Sequence, residues 1–327
     1  MGHASRARIL ATEFERRGHT VVHAVPTAAI PLVKTWTPNS QTIVAVGAAN
    51  DDWTELQQSA THIVLDTLWN TNAVATREEV KQLNKASKAH ISVIDSMPPD
   101  HFICSNCTVH ALLTPYLDAN KYRPAPPKKT QWLTGPEYSL LGADYAMYRQ
   151  QDNSSNPPSI LVSCGGSDTD QLTLAITKLL VRTGVTLNVV IGPLFEAILS
   201  STLEKIAAHH TNLHLHHQPP SLAPLIAKTS LVIGRPGILR YEAAALGTSA
   251  VYLAKGHAYR DYYRGFTNSG IADIFFDTES NGQEHFAKHI KQLAQQVHTG
   301  KFSSYNPIAA SLVNANGAKN FIDELLD

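Results

Sequence analysis

Between Ser159 and Leu180 the period of the sequence changes, and that change constrains the fold more than any other feature. Ser159-Ile160-Leu161-Val162-Ser163 is a short apolar run of the kind that fills a buried strand, and Leu172, Leu174, Ile176, Leu179 and Leu180 then fall on a helical pattern. The residues between them are Cys164-Gly165-Gly166-Ser167-Asp168. A tight turn from strand to helix brings free backbone N–H groups and the positive end of a helix to one spot, which suits phosphate or pyrophosphate. Two adjacent glycines let a ligand come close to the backbone, and Ser167 adds a hydroxyl. The same residues also read as a plain capped turn, with Ser167 or Asp168 as the cap.

The alternation recurs along the chain. In the second half, strands are expected at 159–164, 186–191, 212–216, 230–234 and 249–254. Helices are expected at 169–182, 195–208, 221–228, 238–246 and 258–269, with two more near 282–298 and 306–326. In the first half, Ala7, Leu10, Ala11 and Phe14 form one apolar helix face closed by Gly18. Strands follow near 19–25, 42–46, 62–66 and 90–95, with helices at 51–59 and 76–86. Such alternation implies parallel sheets with helices on their faces and ligands at the carboxyl ends of the strands. Asp66 and Asp95 each end an apolar strand, where an Asp faces a ligand or caps the next segment.

A second junction resembles the first. Ser230-Leu231-Val232-Ile233 reads as a strand, Gly234-Arg235-Pro236-Gly237 as a turn, and Ile238 to Leu246 as a helix carrying Glu242 near its start. A carboxylate there can hold the two hydroxyls of a ribose, or can simply favour the positive helix end.

The chain has 327 residues, enough for two domains on a prior of roughly 100–200 residues each. Pro124 to Lys129, rich in proline, reads as an extended connector, and the polar stretch from Tyr148 to Pro158 as the domain boundary. The expected domains are therefore 1–150 and 151–327. Lys+Arg and Asp+Glu are both 27, so there is no excess basic field for nucleic acid. Three cysteines imply no disulfide framework and a reducing cytoplasm. Cys104 and Cys107, with His101 and His110 nearby, read as ordinary thiols and not as a metal site. No apolar run approaches the roughly 18 residues that a membrane span needs, and the N-terminus has no signal-peptide core.

Taken in order, several stretches resemble the UDP-sugar hydrolase family of pseudaminic acid biosynthesis, which removes UDP from a 2,4-diacetamido-trideoxyhexose. That family is related to the peptidoglycan lipid-intermediate N-acetylglucosaminyltransferase. The stretches are Gly2-His3-Ala4-Ser5-Arg6, Leu133 through Leu141, Ser163 through Asp168, Gly234 through Glu242 with Leu246-Gly247, and Gly317-Ala318-Lys319. The resemblance implies a GT-B-like α/β fold: two Rossmann-like, doubly wound domains facing a cleft. It implies that His3 acts as the general base toward water at the anomeric carbon, with Arg6 beside it in the substrate site. A histidine suits this because its unperturbed pKa lies near neutrality. It further implies that Gly165, Gly166 and Ser167 hold the diphosphate and Glu242 the ribose, with Gly234 and Gly237 also in the nucleotide site and no metal or cofactor.

The chain departs from that family in four places, one of them Asn314-Ala315-Asn316-Gly317-Ala318-Lys319-Asn320, where the family has Asp-Gly-x-Gly-Ala-x-Arg. Ile238 and Leu239 stand where the family has Ser or Thr. Gly256-His257 stands where an Asn-Gln pair touches phosphate and sugar, which makes His257 a binding candidate. The first domain begins almost at its first helix, so its usually central first strand is expected to be missing. That would leave unpaired backbone inside the sheet. Either the chain starts downstream of the usual start, or this domain is rearranged. The expected function is hydrolysis of a UDP-activated amino sugar. The alternatives are a nucleotide-sugar-dependent glycosyltransferase and a non-catalytic nucleotide-sugar binder.

Overall fold

The computed structural model describes residues 2–34, 42–46, 51–66, 73–95, 102, 108–122, 124–149, 157–256 and 260–326. It divides into two compact units, one built from Gly2–Leu141 with Asn316–Asp327, the other from Gly142–Ala315. The division falls ahead of the boundary at 150/151 read from the sequence. The end of the chain also folds with the first unit, not the second.

The first unit opens with helix α1 (Gly2–Arg16), so His3 sits in its first turn and not ahead of it. Then come β1 (Val22–Pro26), α2 (Ile30–Lys34), β2 (Thr42–Val46), α3 (Asp51–Ser59), β3 (His62–Leu65), α4 (Ala73–Ala86) and β4 (His90–Ile94). After them come β5 (Ala111–Thr114), α5 (Ala119–Tyr122) and β6 (Gln131–Thr134). Among the described residues the strands form two parallel sheets, β1–β2 and β3–β4–β5–β6. Leu10 of α1 is buried against Ile94, Ala111, Leu113 and Leu133 of β4, β5 and β6. The spacing of Ala7, Leu10, Ala11 and Phe14 gives α1 that apolar face, and the N–H groups of Gly18 and His19 close it on the carbonyls of Glu15 and Phe14.

The second unit runs α6 (Asp144–Tyr148), β7 (Ser159–Ser163), α7 (Leu172–Leu180), β8 (Thr186–Ile191), α8 (Ala197–Ala207) and β9 (Leu213–His217). It continues with α9 (Ala223–Ile226), β10 (Leu231–Gly234), α10 (Leu239–Ala245), β11 (Ala250–Ala254), α11 (Arg260–Asn268), β12 (Asp273–Phe276), α12 (Gly282–His298) and α13 (Pro307–Leu312). All six strands are parallel, in the order β12-β11-β10-β7-β8-β9. The strands β7, β10 and β11 are buried at every position, as expected when helices cover both faces of a parallel sheet. Ile160, Val162, Leu187, Val189, Ile233 and Val251 join Ile176 and Leu180 of α7 and Phe286, Ile290 and Val297 of α12 in one core. Burying each such side chain contributes on the order of 1.5–3 kcal/mol.

The chain ends in α14 (Gly317–Leu326), which is separated from α13 where the sequence suggested one helix over 306–326. Its Ala318, Phe321, Ile322 and Leu325 enter the core of the first unit beside Leu10. Strands β5, β6 and β12 were not anticipated from the sequence.

Candidate functional site

The strand order locates a switch point in the second unit. From β7 the chain moves outward to β8 and β9, then returns to β10 on the other side of β7 and moves outward again to β11 and β12. Ligands of open α/β sheets bind outside the carboxyl ends of the strands at such a point. The two ends there are those of β7 and β10, and they carry the two glycine junctions singled out from the sequence.

At the end of β7, Gly165 has φ +91° and Asp168 φ +43°, so the chain folds back sharply. The Asp168 carboxylate is buried and caps α7, accepting from the N–H of Leu172 at 3.1 Å and of Thr173 at 2.8 Å. The positive end of that helix is thus already met by an internal carboxylate, and the capped-turn reading holds for Asp168. The turn itself still has something to offer a ligand. Among the described residues, the N–H groups of Gly165, Gly166 and Ser167 take no part in the backbone hydrogen bonds that hold the turn. Gly165 is exposed, Gly166 and Ser167 half-buried. The turn is anchored from the neighbouring loop by the Leu194 N–H, which donates to the Gly166 carbonyl at 2.9 Å.

At the end of β10, a side chain on Gly234 would place its Cβ 1.8 Å from the Ser163 carbonyl oxygen. Only glycine allows that approach. The Arg235 N–H donates to the same carbonyl at 3.3 Å, and the Gly237 N–H to the Arg235 carbonyl at 2.9 Å. Beneath this turn lies Arg240, 2% exposed, whose Nη1 donates to the carbonyls of Pro236 and Gly237. Its guanidinium lies over the rings of Tyr241, Tyr263 and Phe266, at 4.6, 5.1 and 5.3 Å from their centres. The turn is therefore held from below by a buried cation.

Glu242 is half-buried in α10, and its Oε1 accepts from the Tyr145 hydroxyl at 2.6 Å. Burial pushes the Glu242 carboxyl up to about 7, against the opposing hydrogen bond from Tyr145. Burial and the Glu242 charge in turn raise the Tyr145 hydroxyl. Glu242 is thus neither a surface residue nor a solitary one, and its partner Tyr145 was missed from the sequence. After β11, the Gly256 N–H donates to Asp277 at 2.8 Å, while His257 lies outside the described residues.

The first unit holds a different constellation. His3 and Arg6, one turn apart on α1, both meet Asp66 at the carboxyl end of β3. His3 Nδ1 is 2.7 Å from Asp66 Oδ1. Arg6 donates from Nε to Oδ2 at 2.9 Å and from Nη2 to Oδ1 at 2.7 Å. The same Nδ1 also lies 3.0 Å from Arg6 Nη2, and in the tautomer that donates from Nδ1 to the carboxylate the ring carries its lone pair on Nε2. Burial alone would raise the Asp66 carboxyl, but the Arg6 charge and the bonds from His3 and Arg6 hold it below the usual carboxylate range. Burial works against the Arg6 charge as well, and Asp66 and Tyr116 outweigh it. Arg6, which the resemblance places at the substrate, has its guanidinium engaged with Asp66. The strand-end position of Asp66 was the signal in the sequence, but its partner was not.

Cys104, Cys107 and His101 lie outside the described residues. Among the described residues no group of three or more His, Cys, Asp or Glu side chains is arranged to hold a metal ion, and no helix is long and apolar enough to cross a membrane.

No known family's sequence profile matches the chain. An uncharacterised protein of Methanocaldococcus jannaschii is 25% identical over 177 residues, which are 52% of this chain and 36% of that protein. The chain therefore matches little more than a third of that relative's length. Solved structures match over almost the whole chain. Acinetobacter baumannii MurG superposes with a TM-score of 0.56 at 14% identity, covering 99% of this chain and 96% of its own. Anabaena HepE, in complex with UDP and glucose, gives 0.56 at 14% identity over 100% and 96%. A UDP-N-acetylglucosamine 2-epimerase homologue from Listeria monocytogenes gives 0.55 at 12% identity over 99% and 92%. At these identities the likeness is one of fold, and the chain has the GT-B-type α/β fold with two Rossmann-like units.

Proposed function

We propose that this protein binds a nucleoside diphospho-sugar in its second unit and hydrolyses it at the anomeric carbon, releasing UDP and the free sugar. The observation that carries the reading is the pair of glycine turns, 164–168 and 234–237, at the switch point between β7 and β10. In support, HepE, which shares the fold, was crystallised with UDP and glucose.

In this reading the N–H groups of Gly165, Gly166 and Ser167 hold the diphosphate, and Gly234 and Gly237 keep the facing turn close. Backbone donors fixed in advance stabilise the charge that grows on a leaving diphosphate without reorganising. Glu242 accepts from the ribose hydroxyls while Tyr145 holds its Oε1. His3, oriented by Asp66, takes a proton from water through Nε2. The water oxygen bonds to the anomeric carbon as the bond from that carbon to the diphosphate oxygen breaks, and the electron pair leaves with UDP. The proton passes from His3 to solvent. The sequence resemblance supports an amino sugar as the class of substrate.

The same His3–Asp66 pair would equally deprotonate an acceptor hydroxyl, which makes a glycosyltransferase the second reading. Product analysis with a panel of UDP-sugars decides between them. UDP and free sugar formed without any acceptor support hydrolysis, and turnover only on adding an acceptor supports transfer. Nucleotide binding without turnover under either condition overturns both and leaves a binding protein.

A further inference from the structure

Arg235 is the first residue after the strand-ending Gly234, so it stands at the mouth of the switch point. Its Nη1 donates to the Leu253 carbonyl at 2.7 Å, and its Nη2 pairs with the Asp170 carboxylate. Lys255, directly after β11, brings its Nζ to 4.0 Å from the same carboxylate. Asp170 lies just beyond the 164–168 turn and is 34% exposed, while Arg235 is 18% exposed. Three neighbouring strand ends therefore converge on one spot. The spot carries two cations, one carboxylate and the N–H groups of Gly165, Gly166 and Ser167. The Leu253 carbonyl fixes the guanidinium on one side and leaves its other edge to whichever anion is present. A guanidinium pairs with phosphate in the same two-pronged geometry that it uses with carboxylate.

We propose that Arg235 and Lys255 are the cationic partners of the bound diphosphate, and that Asp170 is a built-in counterion which the diphosphate displaces. The inference rests on the nucleotide reading of this unit and adds to it the groups that neutralise the ligand. In the free protein Asp170 satisfies Arg235 and keeps it pointed at the turn. On binding, the diphosphate takes the Arg235 edge and Asp170 moves into solvent, which its exposure allows. Asp170 thus lowers affinity and acts against weaker, singly charged anions.

The test is calorimetric titration of the full chain and of the Asp170→Asn and Arg235→Gln variants with UDP, inorganic pyrophosphate and uridine. Asp170→Asn breaks an exposed pair, so it should tighten UDP and pyrophosphate by about two- to fivefold. Arg235→Gln should weaken both by about tenfold or more. Uridine, which has no phosphate, should bind all three proteins alike. Unchanged or weaker UDP binding by Asp170→Asn overturns the counterion role, and that variant removes no contact on which the turn depends. An Arg235→Gln loss of equal size for uridine and UDP overturns the diphosphate assignment. A parent protein that binds neither UDP nor pyrophosphate sinks the nucleotide reading itself. If the parent binds UDP but neither variant differs from it, the present inference alone falls.

Discussion

His3 Nδ1 and Asp66 Oδ1 lie 2.7 Å apart although 63 positions separate the two residues in sequence. The contact joins the first turn of α1 to the carboxyl end of β3. The proposed mechanism uses the tautomer in which Nδ1 donates to Asp66 and Nε2 is the basic nitrogen. Asp66 is held from the other side by both Nε and Nη2 of Arg6.

Asp66→Asn keeps the shape but offers an amide that can present N–H to the ring, which favours the wrong tautomer. Turnover of the UDP-sugar should fall by about a hundredfold or more, the range in which a positioned general base contributes. UDP affinity should stay within error of the parent. The substitution also leaves Arg6 as a poorly paired buried cation, so a lower melting temperature is expected. Asp66→Glu should recover the melting temperature more than the turnover, because its longer arm keeps the charge but not the geometry. Equal turnover by parent and Asp66→Asn would remove His3 from the mechanism.

Glu242 gives a pH signature of its own. Burial raises its carboxyl from 4.5 to about 7, so below neutrality it is largely protonated. A carboxylate accepts from ribose hydroxyls more strongly than a neutral acid does, so UDP affinity should fall as pH drops from about 8 to 6. Glu242→Gln should bind UDP weakly and with no change across that window. The effect on stability has the opposite sense. A carboxyl whose folded pKa is raised stabilises fully below its unfolded value and loses that contribution as pH rises through the folded one. The second unit should therefore weaken between pH 4.5 and about 7 in the parent, and less in Glu242→Gln. Denaturant titrations across that range check it.

Asp168 separates structure from binding at the first turn. It caps α7 through two N–H groups and does so at a positive φ. Asp168→Ala loses the cap and puts a strained residue at that φ, and should cost about 1–2 kcal/mol. Asp168→Asn keeps an acceptor and tolerates the backbone, so its cost should be clearly smaller. Urea unfolding of the two variants reads the difference. Equal costs would mean that the cap contributes nothing.

The second unit was legible in sequence because its central strands are unbroken apolar runs. Ile160-Leu161-Val162 and Val251-Tyr252-Leu253 could only be buried, and each glycine turn stands where one period gives way to another. Strands β5, β6 and β12 span four residues each and were not picked out, although β3 and β10, equally short, were. The sequence indicated a helix near 306–326, but not that its Ala318, Phe321, Ile322 and Leu325 return to the core of the first unit. Contacts such as Tyr145 with Glu242, or Arg235 with Asp170, join positions 97 and 65 apart, and no local pattern reports them.

The last prediction concerns the opposite end of the β3–β6 sheet. His62 and His90 begin β3 and β4 in register, and His110 stands just before β5. The rings of His62 and His90 meet edge to face at 5.3 Å, and those of His90 and His110 stack at 4.3 Å. Burial, then the neighbouring His90, pushes His62 and His110 below the usual histidine value of 6.5, and His19 and His110 add to the effect on His62. The Leu325 carbonyl acts the other way on His62. A base whose folded pKa is depressed stabilises the fold above its unfolded pKa and loses that contribution as pH falls through the folded one. The first unit should therefore weaken as pH drops below about 6.5, opposite in sense to the trend expected of Glu242 in the second unit. Hydrogen exchange resolved by segment distinguishes the two. Amides of β4 and β5 should lose protection from pH 7.5 to 5.5, after correction for intrinsic rates. His90→Phe keeps a ring in the stack and removes the central charge, so it should flatten that loss. If β4 and β5 keep the same protection at both pH values, the stack is packing alone and carries no titration.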